Sequence, residues 1–345
     1  MTFDPSAASL PGSGIFGLPH GRDAAALVLV PVPFEATTSY GGGTARAPEA
    51  ILSASRQVDL FDAETGRPYE AGIHLLPMPE EVERLDRAAR AAAAPVIAAG
   101  GAGDDPALRR ATAAVNEACE RMNAWVEDQV KELLDEGKVV GVLGGDHSTA
   151  LGSLAAHARR FPGMGVLHVD AHADLRVAYE GFTCSHASVV YNAAERLPEI
   201  ARIVQVGIRD LSAEERAYAT GSHGRIEQHL DAELARARFE GETWSTQVRR
   251  ILDPLPRDVY VTFDIDGLDP SLCPHTGTPV PGGLSFTEAV YLLGAVARSG
   301  RRVVGFDLVE VAPDPSGGEW DGNVGARLLY QLAGWTLLGR PGARG

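Results

Sequence analysis

Short, mainly apolar runs punctuate this chain, and each is closed by proline, glycine or an acid. The first, Ala25-Ala26-Leu27-Val28-Leu29-Val30-Pro31-Val32, does not alternate with polar residues. Such a run suits a strand buried on both faces. Similar runs occupy 139–143, 165–169, 203–206, 259–263 and 303–306. Between them, apolar residues recur at helical spacing over 108–136, 150–160, 187–195, 242–252, 286–297 and 323–338. Strands alternating with helices predict βα units and a parallel sheet. The Gly-, Pro- and Ser-rich stretch 1–24 predicts an irregular arm ahead of a single domain, 25–345. The Ala-rich stretch 81–114, broken by AAGGAGDDP, reads as an insertion between two sheet units. It predicts a surface helix pair or a mobile excursion, with a lid or oligomer contact as the alternative.

Composition narrows the class. A chain of 345 residues that is 45% hydrophobic and 22% charged has the balance of a globular protein and can bury a large core. With 31 Lys+Arg against 46 Asp+Glu the net charge is -15, which argues against a general nucleic-acid binder and favours cationic small molecules. The N-terminus has neither a basic start nor a long apolar run, and the longest apolar stretch is about half the ~20 residues of a membrane span. Cys119, Cys184 and Cys273 are odd in number and unrelated in spacing. They read as reduced thiols, so a soluble, cytoplasmic protein without a membrane or nucleic-acid partner is expected.

The chemistry gathers at the ends of three predicted strands, where ligands of open parallel sheets bind. The run 139–143 leads into Gly144-Gly145-Asp146-His147-Ser148, and 165–169 into Asp170-Ala171-His172-Ala173-Asp174. The run 259–263 leads into Asp264-Ile265-Asp266-Gly267-Leu268-Asp269-Pro270. Alone, Asp146 or His147 would serve as a helix N-cap, and Asp264 or Asp266 would cap a turn. Together His147, Asp170, His172, Asp174, Asp264 and Asp266 supply four carboxylates and two imidazoles. Such a set repels itself unless cations sit within it, and four carboxylates neutralise two divalent ions. An oxygen-rich set without sulfur favours Mn²⁺ or a similar ion over structural zinc, with Ni²⁺, Co²⁺ and Zn²⁺ left open.

These motifs, GGDHS (144–148), DAHAD (170–174) and FDIDGLDPSLCPHTGTPVPGGLS (263–285), resemble those of the ureohydrolases, the family of arginases and agmatinases. The resemblance runs from about Ala25 to Leu338. It implies an α/β fold, a three-layer αβα sandwich with a mainly parallel central sheet, and assembly as a trimer or hexamer. It also implies two Mn²⁺ per subunit. One would be held by His147, Asp170, Asp174 and Asp264, the other by His172, Asp170, Asp264 and Asp266. By the same resemblance His186 matches a histidine that shuttles a proton to the leaving amine, and Glu310 a glutamate that pairs with the substrate guanidinium. Thr278 matches a residue near that guanidinium.

The departures bear on the substrate. The stretch Arg176–Ser185 lacks the Asn- and Ser-bearing loop with which arginases read the amino-acid end of arginine, and Ala187 follows His186 where agmatinases usually carry glycine. Glu180 could face a substrate ammonium group or simply be a solvated loop acid, and Arg176 is the nearest candidate for reading a carboxylate. The expected function is hydrolysis of a guanidino C–N bond, with agmatine giving putrescine and urea. Guanidinobutyrate, guanidine, arginine and formiminoglutamate remain open as substrates. Two readings compete: a one-zinc amide hydrolase of the related deacetylase fold, and a non-catalytic regulatory subunit. His168 reads as a residue packed or hydrogen-bonded behind the ligands, and His275 as a surface residue.

Overall fold

The computed structural model describes residues 3–9 and 12–339; residues 1–2 and 10–11 of the expected arm and 340–345 of the expected domain lie outside the described residues. In chain order the elements are β1 (Leu27–Pro31), α1 (Ala47–Ser55), β2 (Ile73–Leu75), α2 (Glu80–Ala98), α3 (Pro106–Asp135) and β3 (Val139–Leu143). Then come α4 (Leu151–Arg160), β4 (Gly165–Val169), α5 (Val189–Arg196), β5 (Arg202–Ile208), α6 (Ala213–Gly221) and β6 (Ile226–Leu230). The chain closes with α7 (Asp231–Phe239), α8 (Trp244–Leu252), β7 (Asp258–Asp264), α9 (Phe286–Arg298), β8 (Arg302–Val309) and α10 (Trp320–Leu338). Each apolar run of the sequence became a strand.

The strands form one 8-stranded sheet in the order β2-β1-β3-β8-β7-β4-β5-β6. All neighbouring pairs are parallel. Side chains alternate between two cores, as the strand period demands. On β1, Leu27 and Leu29 face the core made with α1, α9 and α10, while Val28 and Val30 face the one made with α2 and α3. Helices on both faces explain why the strands carry no polar alternation. No described helix is long and apolar enough to cross a membrane.

Two expectations change. The stretch 81–114 is a helix pair, but no excursion: α2 buries Val82, Ala89, Ala93 and Val96 in the same core as Val115 and Met122 of α3. Ala89 and Ala93, one turn apart, are the buried alanines of α2, while Ala88, Ala91 and Ala94 are exposed. Several of the described residues ahead of β1 are packed. Ile15, Phe16 and Leu18 are buried, and the Phe16 ring meets Tyr330 of α10 edge-on at 4.9 Å.

Candidate metal centre

The four central strands β3, β8, β7 and β4 are neighbours in the sheet, so the loops leaving their carboxyl ends converge. This is why motifs far apart in sequence meet. The loop after β3 turns sharply between Gly144 and His147, and the glycines are steric requirements. A Cβ at Gly145 would fall 1.9 Å from the Phe34 carbonyl oxygen, which already accepts from Asp146 N at 2.9 Å. Asp146 accepts from Ser148 N at 3.1 Å and so caps the turn that carries His147, as its N-cap reading anticipated.

Around His147 Nδ1 stand three carboxylate oxygens: Asp170 Oδ2 at 3.0 Å, Asp174 Oδ2 at 3.1 Å and Asp264 Oδ2 at 3.3 Å. Around His172 Nδ1 stand Asp266 Oδ2 at 3.0 Å and Asp170 Oδ1 at 3.4 Å. Asp170 therefore turns one oxygen toward each histidine, as a bridging ligand would. Asp264 directs Oδ2 at the first group and accepts from Asp266 N with Oδ1 at 2.8 Å. Apart from His172, these groups are buried.

The protons show which atoms face inward. His147 Nε2 lies 2.9 Å from Thr262 Oγ1, whose hydroxyl donates to Asp307 Oδ1 at 2.7 Å. With that hydroxyl proton committed, Nε2 must be the donor, and Nδ1 is left as a lone pair aimed among carboxylates. Neither His147 Nδ1 nor Asp266 Oδ2 has a hydrogen-bond partner, though both are fully buried. A lone pair directed at anions in a dry site requires a cation between them, and the donor set fits a divalent metal pair. His168 falls outside this set despite its proximity. Gln205 Nε2 donates to Ala173 O at 2.7 Å and to His168 Nδ1 at 2.8 Å, so His168 donates from Nε2 to Asp170 Oδ2 at 2.8 Å. It orients the Asp170 carboxylate.

The electrostatics carry the same imprint. Burial drives the Asp264 carboxyl well above the usual carboxylate range, and Asp266 and Asp170 push it the same way. Burial also opposes charge on Asp170, yet the surrounding histidines, His168 first, hold it well below its ordinary value. For His172 burial favours the neutral ring, but Asp266 and Asp170 push its pKa up to about 12. The carboxylates around His172 thus favour positive charge at that position.

Above the cluster lies a cleft of about 250 Å³ whose walls include His172, Asp174, Arg176, Tyr179, His186 and Thr278. Glu310 directly follows β8 with φ 62, and Asp174 holds φ 53, a left-handed backbone that non-glycine residues adopt at a cost. Glu310 Oε1 accepts from His147 N at 2.9 Å, while Oε2 is buried without a partner, 3.0 Å from where a Cβ of Gly277 would lie. Burial, reinforced by Asp146, raises the Glu310 carboxyl well above its ordinary value. Glu180 does not line the cleft. Asn116 of α3 bonds Gly181 O at 3.1 Å and Thr183 N at 2.9 Å, which draws the turn carrying Glu180 onto the α2–α3 pair. His275 lies away from the cleft, paired with Asp321 at 2.9 Å.

Sequence reasoning missed four groups. Thr37 meets His186, Thr262 and Asp307 stand behind His147, and Asp210 lines the cleft. Asp210 had a signal, since it follows β5 as the motif acids follow their strands.

Residues 25–334 match the arginase family. An N(1)-aminopropylagmatine ureohydrolase of Thermus thermophilus is 35% identical over 312 residues, 90% of each chain. An agmatinase of Cronobacter sakazakii is 33% identical over 297 residues, covering 86% of this chain and 82% of that one. The crystal structure of agmatine ureohydrolase of Thermoplasma volcanium superposes with a TM-score of 0.71 at 23% identity, covering 95% of each chain, a likeness of fold. Sequence match, fold and the paired carboxylate–imidazole cluster agree, and the chain belongs to the arginase family of ureohydrolases.

Proposed function

We propose that this ureohydrolase cleaves an alkylguanidine bearing a cationic tail, with agmatine, giving putrescine and urea, as the reference substrate. The observation that carries the reading is the charge of the cleft. Arg176, the nearest candidate for reading a carboxylate, is engaged elsewhere: its Nε lies 3.7 Å from Glu215 Oε2 and its guanidinium covers the Tyr179 ring at 5.3 Å. Asp210 stands exposed on the same wall and supplies a carboxylate for a tail ammonium. The names of the relatives above, agmatinase and N(1)-aminopropylagmatine ureohydrolase, support a substrate of this class.

The metal ligands in this reading are His147, Asp170, Asp174 and Asp264 for one ion and His172, Asp170, Asp264 and Asp266 for the other. Mn²⁺ suits the oxygen-rich set, with Ni²⁺ or Co²⁺ as alternatives. When bound, the pair supplies the positive charge that lets water give up a proton near neutral pH. Glu310 Oε2 accepts from the guanidinium and holds its plane in the cleft, with Thr278 beside it. Water gives up a proton as its oxygen adds to the guanidinium carbon, and His186 takes that proton up and passes it to the amine nitrogen as the C–N bond to the alkyl chain breaks, leaving urea and the amine. Glu180 is set aside as a tail contact in favour of Asp210. The three cysteines are free and buried, in keeping with a cytoplasmic enzyme, and the family resemblance carries a trimer or hexamer.

Urea release tests the reading, with the protein loaded in turn with Mn²⁺, Ni²⁺ and Co²⁺. The panel is agmatine, its aminopropyl derivative, 4-guanidinobutyrate, arginine and guanidine, with formamide release read for formiminoglutamate. The expected result is the highest kcat/KM on a substrate with a cationic tail, reduced in Asp210→Asn. Preference for a carboxylated substrate would overturn the tail assignment.

A further inference from the structure

Thr37 lies on the loop after β1, far in sequence from every motif, yet its hydroxyl touches His186 twice. Oγ1 is 3.1 Å from His186 N and 3.2 Å from His186 Nδ1. The same oxygen lies 2.9 Å from Asp146 Oδ2, which also accepts from Thr37 N at 3.2 Å. The other oxygen of Asp146 accepts from Ser148 N at 3.1 Å and from the Ser148 hydroxyl. Four donors thus converge on one fully buried carboxylate, filling its acceptor positions.

This assigns the protons. The single proton of the Thr37 hydroxyl goes to Asp146, so His186 meets only lone pairs of Oγ1. The backbone N–H of His186 takes one, and Nδ1 must carry a hydrogen to use the other. Nε2, at the opposite edge of the ring, is then the basic nitrogen. The His186 ring is further pinned by Tyr179, which meets it edge-on at 5.9 Å and 75°.

We propose that Thr37 and Asp146 are positioning residues that lock His186 in the Nδ1–H form and turn Nε2 to the cleft as the atom that exchanges the proton. The inference rests on the reading of His186 as the proton donor to the amine. A histidine in the other tautomer would offer its lone pair to the protein interior and none to the reaction. Asp146 also ties this lock to the metal centre, since the next residue is the ligand His147. The loop itself is held from below. Glu35 accepts from Gly43 N at 2.7 Å and Ala45 N at 2.9 Å and pairs with Arg90, and Glu35 N donates to Asp86 Oδ1 at 2.7 Å. Arg90 and Asp86 lie on α2.

The test compares Thr37→Val, which keeps the shape and loses the hydroxyl, with Thr37→Ser, which keeps it. Both are assayed as metal-loaded, full-length protein on agmatine, alone and with His186→Ala. Thr37→Val is expected to lower kcat about 10- to 100-fold with KM and bound metal unchanged, the scale of lost support behind a working histidine. Thr37→Ser restores kcat to within about threefold, and Thr37→Val adds nothing to His186→Ala, since both act on one proton transfer. Wild-type turnover in Thr37→Val overturns the inference. So does loss of metal in that variant, failure of serine to rescue, or a full additional loss in the double variant. Wild-type protein that releases no urea from any substrate overturns the functional reading as well. An active wild type beside an unimpaired His186→Ala overturns the role of His186, and the lock with it.

Discussion

Thr262 holds His147 from behind: its hydroxyl accepts from His147 Nε2 at 2.9 Å and passes its own proton to Asp307 Oδ1 at 2.7 Å. A carboxylate, reached through one hydroxyl, thereby fixes which nitrogen of His147 faces the carboxylate cluster. Thr262→Val removes the link without changing the volume. It is expected to weaken metal binding about 10- to 100-fold, measured by competition with a chromogenic chelator, while Thr262→Ser stays near the wild type.

Burial and mutual repulsion both disfavour charge in the carboxylate cluster. Asp264 is pushed well above its ordinary pKa by burial and then by Asp266 and Asp170. Asp264→Asn should abolish turnover and metal retention. In metal-free protein the same change removes a source of repulsion, so its Tm should equal or exceed that of metal-free wild type. A lower Tm for the metal-free variant would show that Asp264 stabilises the fold on its own account.

A different histidine, outside the site, contributes to acid stability. His157 on α4 is fully buried and donates from Nδ1 to Ser153 O at 2.8 Å; burial lowers its pKa to about 4. Because the folded value is depressed, the unfolded chain binds this proton first, and stability falls as pH drops from about 6.5 toward 4, by roughly 3 kcal/mol in all. Above about 6.5 the group contributes no slope. Urea unfolding from pH 7 to 4.5 should show that decline in the wild type. In His157→Asn, whose amide can still reach Ser153, the baseline drops because the side chain is smaller, but this part of the slope disappears.

The Gly-Gly pair of the first motif is a steric device. Gly145→Ala would place a methyl group 1.9 Å from the Phe34 carbonyl, which is backbone and cannot rotate away. The expected cost is at least about 1–3 kcal/mol, with loss of metal because the His147 turn must shift. An alanine variant that keeps wild-type stability in urea and full metal content would refute the steric account.

Much of this architecture could be read from residues alone, for identifiable reasons. The strands β3, β4 and β7 are built on short, mainly apolar runs, and the motif acids and histidines follow those runs within five residues, so run and chemistry stand side by side in sequence. What escaped lies where one of those cues is absent. β2 spans only Ile73–Leu75, and β6, Ile226–Leu230, is a partly polar edge strand. The helix α6 buries only Glu215 and Ala219 and is specified by its Ser212–Glu215 capping box rather than by an apolar stripe. Thr37 acts across 149 positions of sequence, and Thr262 looks like one more β-branched strand residue until its neighbours are known. The packing of the α2–α3 pair is hard to read because alanine, a good helix former, gives a weak hydrophobic signal although its small size lets helices pack closely.

The central claim is that six side chains from three loops enclose two divalent cations. Metal content per subunit, measured by elemental analysis after dialysis and again after chelator stripping and Mn²⁺ reloading, tests it most directly. The account predicts close to two ions per chain, none after stripping, and urea release that vanishes and returns with them. Full hydrolysis by rigorously stripped protein, or a single ion at full activity, would contradict it.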